Sequence, residues 1–143
     1  MPRIVVDTNV LVAAIRSRRG ASFKLLSLVD SGAFELALSV PLVLEYEEVL
    51  KRGARVAGLT HQDVDDILDY LCRVAHQQPI YFLWRPVLRD PHDDMVLEVA
   101  VESESEYIVT FNLRDFAGAQ QFGVVVVEPR RFLDDIGGSH ERD

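Results

Sequence analysis

Strand-like and helix-like segments alternate along all 143 residues of this chain, and nothing else in the sequence limits its fold so strongly. Arg3–Val6 is a β-branched run that stops at Asp7, and Phe34–Leu38 alternates as a strand does. Ile80–Leu83, Tyr107–Thr110 and Val124–Val127 supply three more predicted strands. Between them lie helical patterns: Val10–Ile15; Phe23 to Val29, stopping at Gly32; and Leu42, Val43, Tyr46, Val49 and Leu50 after Pro41. Thr60 and Asp63 form a predicted capping box for a helix through Val64, Ile67, Leu68, Leu71 and Val74. A further helix begins near His92–Asp94, and one short turn of helix follows Pro129. Parallel strands need crossovers rather than tight turns, and helices make those crossovers. The pattern predicts an α/β fold, a three-layer α/β/α sandwich around a mostly parallel five-stranded sheet. No repeat or linker divides the chain, so residues 1–136 read as a single domain with residues 137–143 as a flexible tail.

No apolar run approaches the roughly 18 residues of a membrane span. The longest candidate, Leu36–Leu44, is broken by Ser39 and Pro41 and followed by Glu45. Met1-Pro2-Arg3 leads straight into the first predicted strand, so no cleavable signal is expected. The lone Cys72 has no internal disulfide partner, and a cytoplasmic setting is expected. Cys72, among Leu68, Leu71 and Val74, reads as a small core residue. The net charge of −8 argues against a general affinity for nucleic acid. Two details qualify it. Thirteen of the 15 basic residues are arginine, suited to bidentate phosphate contact. The acids are also uneven, with seven between Asp90 and Glu106 and no Lys or Arg there.

In open α/β sheets, ligands bind beyond the carboxyl ends of the strands. Asp7 follows the first strand directly, Asn112 lies two residues after Thr110, and Asp90, Asp93 and Asp94 sit at the mouth of a helix. Each alone could be an ordinary helix cap or first-turn acid. Glu45 could not, because it follows Leu42, Val43 and Leu44 in the most apolar stretch of a helix, where a carboxylate needs a partner. Oxygen donors converging without Cys or His suit a hard cation, Mg²⁺ or Mn²⁺.

Four segments together resemble the motifs of the PIN-domain family. They are Val5-Val6-Asp7-Thr8-Asn9-Val10-Leu11-Val12, Val40-Pro41-Leu42-Val43-Leu44-Glu45-Tyr46-Glu47-Glu48-Val49-Leu50, Arg89-Asp90-Pro91-His92-Asp93-Asp94-Met95-Val96-Leu97 and Thr110-Phe111-Asn112-Leu113-Arg114-Asp115-Phe116. The third is most similar to the subgroup of toxin components of toxin–antitoxin systems, and the likeness runs from Arg3 to about Phe132. It implies a sheet in the order 3-2-1-4-5 and metal-dependent hydrolysis of RNA. It also implies Asp7, Glu45, Asp94 and Asp115 as catalytic metal ligands, with Asn112 in the same set. The family interval back from Asn112 selects Asp94, leaving Asp90 and Asp93 as neighbours that bind a second ion or orient ligands. Asn9 and Thr110 would hold Asp7 and the metal-bound waters. Asparagine at 112, where many members have aspartate, is a departure that Asp115 could offset. The expected partners are RNA, an antitoxin covering the acidic pocket, and a second copy of the chain, with no membrane.

Arg16, Arg18, Arg19 and Arg114 are the residues placed to meet an RNA backbone, against the alternative of a solvated loop. His92 in the third motif could approach metal or phosphate but reads first as a solvent-facing first-turn residue, and Tyr81, Phe82 and Trp84 could stack bases but read first as a strand end packed on the core. Three alternatives differ in kind. A phosphatase of the haloacid-dehalogenase type would use Asp7 as nucleophile, but its second Asp and its Thr are Asn9 and Leu11 here. An inactive PIN-like RNA-binding scaffold would explain Asn112, and a housekeeping RNA-processing nuclease would have the same motifs.

Overall fold

The computed structural model describes residues 1–80, Leu88 and residues 90–141. Among these, β1 (Arg3–Val6), β2 (Glu35–Leu38), β3 (His76–Gln77), β4 (Tyr107–Val109) and β5 (Val125–Val127) form one sheet. Its order is β3-β2-β1-β4-β5 and every pairing is parallel, as the resemblance implied. β1 is central: Ile4 pairs with Leu36 on one side and with Tyr107 on the other. Ile4, Val5 and Val6 have no exposed surface, which is why β1 is an unbroken apolar run rather than an alternating one.

The helices are α1 (Thr8–Arg16), α2 (Ala21–Ser27), α3 (Val40–Gly53), α4 (His61–Val74), α5 (Pro91–Glu102) and α6 (Pro129–Glu141), with a 3-10 segment at Leu113–Phe122. Local chemistry sets where they start. Ser39 caps α3 by accepting from the Leu42 N–H, with Pro41 in the first turn where a missing N–H costs nothing. Leu42, Tyr46 and Leu50 then recur every four residues as the buried stripe of α3. The capping box expected of Thr60 and Asp63 forms in both directions, at 2.8 and 3.0 Å.

Crossovers carry the chain outward from β1 to β2 and β3, then back across to β4 and β5. The strand order therefore reverses between β1 and β4, leaving a crevice at the carboxyl ends of those two strands. α3 and α5, from opposite legs of this path, contact each other. At the amino ends of the strands, Phe132 of α6 packs edge-on against Phe34 and Tyr107, at centroid distances of 5.4 and 5.1 Å.

The third strand, β3, is two polar residues paired with Ala37 and Leu38, and it precedes the expected Ile80–Leu83. That expected strand, from Tyr81 onward, and the aromatics Tyr81, Phe82 and Trp84 lie outside the described residues. The single turn expected after Pro129 is a 13-residue helix that runs into the expected tail. No helix among the described residues is long and apolar enough to cross a membrane.

Candidate functional site

Asp7 stands at the crevice because β1 ends there and α1 begins. Its Oδ1 accepts from the Thr8 N–H at 2.8 Å, capping α1, while its backbone N–H donates to the Val109 carbonyl of β4. Its Oδ2 accepts from the Thr110 hydroxyl at 2.7 Å, across 103 residues of sequence. Thr110 is fully buried and its Oγ1 also accepts from the backbone N–H of Asn112 at 3.0 Å. Asn9 joins more loosely, donating to Thr110 Oγ1 and accepting from the Phe111 N–H, each at 3.4 Å.

Glu45 comes to the same place on α3. The residue after it, Tyr46, is 1% exposed and donates its hydroxyl to the Val6 carbonyl, which pins α3 to the last residue of β1. One Glu45 oxygen accepts from Thr8 Oγ1 at 3.0 Å and the other lies 2.5 Å from His92 Nδ1. The Glu45 side chain is 12% exposed.

The third motif contributes through the first turn of α5. Asp90 caps this helix by accepting from the His92 N–H at 2.9 Å. Asp93 is 9% exposed and lies within electrostatic reach of Asp7, Asp90, Asp115 and Glu45. Its neighbour Asp94 accepts from the Leu88 N–H at 2.9 Å through one oxygen. The interval in the sequence selects Asp94, whereas the structure sets Asp93 among the other acids. Asp115 and Asn112 are exposed at the start of the 3-10 segment, joined by a backbone hydrogen bond at 3.1 Å. Arg114, also exposed, sits beside Asp115. The exposed Arg16, Arg18 and Arg19 lie at the far end of α1, whose nine residues from Thr8 to Arg16 span about 13 Å from Asp7.

So many carboxylates in one crevice oppose one another's ionisation. Burial raises the Asp7 carboxyl above its usual range, and Glu45 and Asp115 add to the effect, while hydrogen bonds from Thr110 and Thr8 oppose it. Asp93 moves furthest, from an ordinary 3.8 to about 7, first by burial and then by repulsion from Asp7, Asp90, Asp115 and Glu45. The sign of the linkage follows. A carboxyl whose pKa is raised in the folded state favours folding when protonated, and that contribution is lost as pH rises through about 7. In chelator-treated protein, Asp93→Asn should therefore gain stability over the parent at pH 8 and lose that advantage toward pH 4. Urea melts across this range measure it, and an advantage independent of pH would remove Asp93 from the strained group.

Oxygen-only donors under mutual repulsion are the donor chemistry of a hard divalent ion. Among the described residues, no three such side chains already stand at the spacing of bound-metal ligands. Glu45 is held between Thr8 and His92.

Comparison with curated proteins gives no match. Among solved structures the chain is similar to the crystal structure of VapBC2 from Rickettsia felis bound to a DNA fragment from their promoter. That likeness has a TM-score of 0.57 and 14% identity, covering 88% of this chain and 97% of the other, and it supports the fold. The family model for the PIN domain matches residues 3–114, a span that takes in Asp7, Glu45, Asp93 and Thr110 and ends one residue before Asp115. With that match over most of its length, and with the sheet order that the motifs implied, the chain belongs to the PIN-domain family.

Proposed function

We propose that this protein is a divalent-metal-dependent endoribonuclease and the toxin half of a toxin–antitoxin pair. PIN domains are in general nucleases. The observation that carries the reading to this chain is the gathering of Asp7, Glu45, Asp93 and Asp115 at the reversal of strand order, with Asp93 pushed up to about 7. Such a crevice repels an RNA phosphate as well as itself, and a cation removes both objections. Asp7, Glu45, Asp93 and Asp115 are the proposed ligands, with the amide oxygen of Asn112 beside them. Asp94, which accepts from the Leu88 N–H, is not among the proposed ligands.

Bound Mg²⁺ or Mn²⁺ would supply a Lewis acid for the phosphate and lower the pKa of a bound water. The chain's residues do the rest. Thr110 and the Thr8 N–H each occupy one lone pair on Asp7 and fix its carboxylate plane. Asn112 and Asn9 hold the Thr110 hydroxyl in turn. Asp93, partly protonated near neutral pH without a cation, gives up its carboxyl proton when one binds.

The test is cleavage of labelled RNAs by chelator-treated protein, with and without Mn²⁺ or Mg²⁺. Metal-dependent cleavage is expected, and its absence with folded protein and either metal would defeat the proposal. A second reading, an inactive RNA-binding scaffold, is favoured by the neutral Asn112. It predicts RNA binding without Mn²⁺ binding.

Arg114 is better placed to meet substrate than the turn at Arg16, Arg18 and Arg19. Arg114→Ala should flatten the slope of log affinity against log salt for single-stranded RNA by about 0.7, the contribution of one phosphate contact. The pair Arg18→Ala and Arg19→Ala should leave the slope unchanged, and the opposite ranking would lay the RNA along α1. The likeness to VapBC2, solved on promoter DNA, supports an antitoxin partner for this chain. A segment carrying basic and aromatic residues would suit the acidic crevice.

A further inference from the structure

We infer that His92 is a positioning residue for Glu45, setting the carboxylate in place for the metal ion; this rests on the metal site proposed above. Glu45 reaches the crevice from α3, whereas Asp93 and Asp115 arrive on other elements, so its side chain needs holding from both sides. Thr8 Oγ1 takes one oxygen at 3.0 Å, and His92 Nδ1 meets the other at 2.5 Å. An imidazole Nδ1–H is a donor that a carboxylate oxygen can accept from. Each carboxylate oxygen keeps a second lone pair, and a hydrogen bond to one leaves the other free for an ion.

The backbone of His92 is itself fixed. Pro91 begins α5, and the Asp90 carboxylate holds the His92 N–H at 2.9 Å. The imidazole is therefore delivered to Glu45 by the same capped turn that delivers Asp93, and this side-chain contact ties α3 to α5 at the crevice. Because the His92 side chain is 65% exposed, its loss should leave the core intact.

The experiment is calorimetric titration of Mn²⁺ into chelator-treated wild type, His92→Ala, His92→Asn and Asp7→Asn, with melting temperatures recorded for each. Asparagine can place an N–H donor where Nδ1 sits. His92→Ala should weaken Mn²⁺ binding about tenfold or more, the usual effect of losing a partner that orients a ligand. His92→Asn should recover most of that loss, with both variants melting close to wild type. In cleavage assays, His92→Ala should need more Mn²⁺ for half-activation yet approach the wild-type rate at saturation, as a residue touching substrate would not. Equal or tighter Mn²⁺ binding by His92→Ala overturns the inference while leaving the metal site standing. Failure of wild type to bind Mn²⁺, or equal binding by Asp7→Asn, overturns the metal site and this inference with it.

Discussion

Asp7→Asn should reduce metal-dependent RNA cleavage by at least about 10³-fold, roughly 4 kcal/mol of transition-state stabilisation, while the protein stays folded. The fold is expected to survive because asparagine caps a helix as well as aspartate does and can still accept from the Thr8 N–H. The Thr110 hydroxyl can accept from the new amide in exchange for its looser contact with Asn9. The substitution also removes a charge that burial and two neighbouring carboxylates oppose, so the metal-free melting temperature should not fall. The loss of activity would then be chemical. Labelled-RNA kinetics beside circular-dichroism melts decide the matter, and a variant that cleaves at the parental rate removes Asp7 from the reaction.

The pair Asp93→Asn and Asp94→Asn separates two assignments that differ by one residue. Asp93→Asn should cost about 10²–10³-fold in cleavage and weaken Mn²⁺ binding, since it takes one charge from the proposed ligand set. Asp94→Asn should stay within about tenfold of the parent, because the amide oxygen can keep the bond from the Leu88 N–H. Single-turnover rates at saturating Mn²⁺ make the comparison. The reverse order would restore Asp94 as the ligand and reduce Asp93 to a strained neighbour.

Why the sequence points to one acid and the structure to the other can be stated in terms of helix geometry. An interval counted along the chain assumes a fixed loop between α5 and β4, and that turn can absorb a residue without moving the strand. Here it contains Glu104 in the left-handed region at φ 57°. The face of α5 is the better guide. Val96, Leu97 and Ala100, all buried, stand three, four and seven residues after Asp93, so Asp93 heads the apolar stripe. The same offsets from Asp94 reach Leu97, Glu98 and Val101.

Other features were legible for local reasons. β1 could be read because Ile4, Val5 and Val6 of this central parallel strand are all apolar, and Glu45 stood out because a carboxylate there follows three apolar residues in a row. β3 could not be read: His76 and Gln77 have no strand-forming side chains, and only their pairing with Ala37 and Leu38 makes them a strand. Nor could the 3-10 segment Leu113–Phe122, with Gly118 inside it and Gly123 in the left-handed region at its end. The length of α6 was hidden by Gly137 and Gly138, although Phe132, Leu133 and Ile136 keep helical spacing.

The bond between Thr110 and Asp7 also sets a schedule for synthesis. A ribosome adding about 5–20 residues per second needs about 5–20 s to travel the 103 residues between them. Until β4 has been made, β1 lacks one of its two neighbours and Asp7 lacks the hydroxyl that holds it. A nascent chain of this protein is thus expected to be harmless to the transcript that encodes it. Stalled chains ending before Tyr107 should show no cleavage, and cleavage by such chains would mean that the amino-terminal motifs suffice.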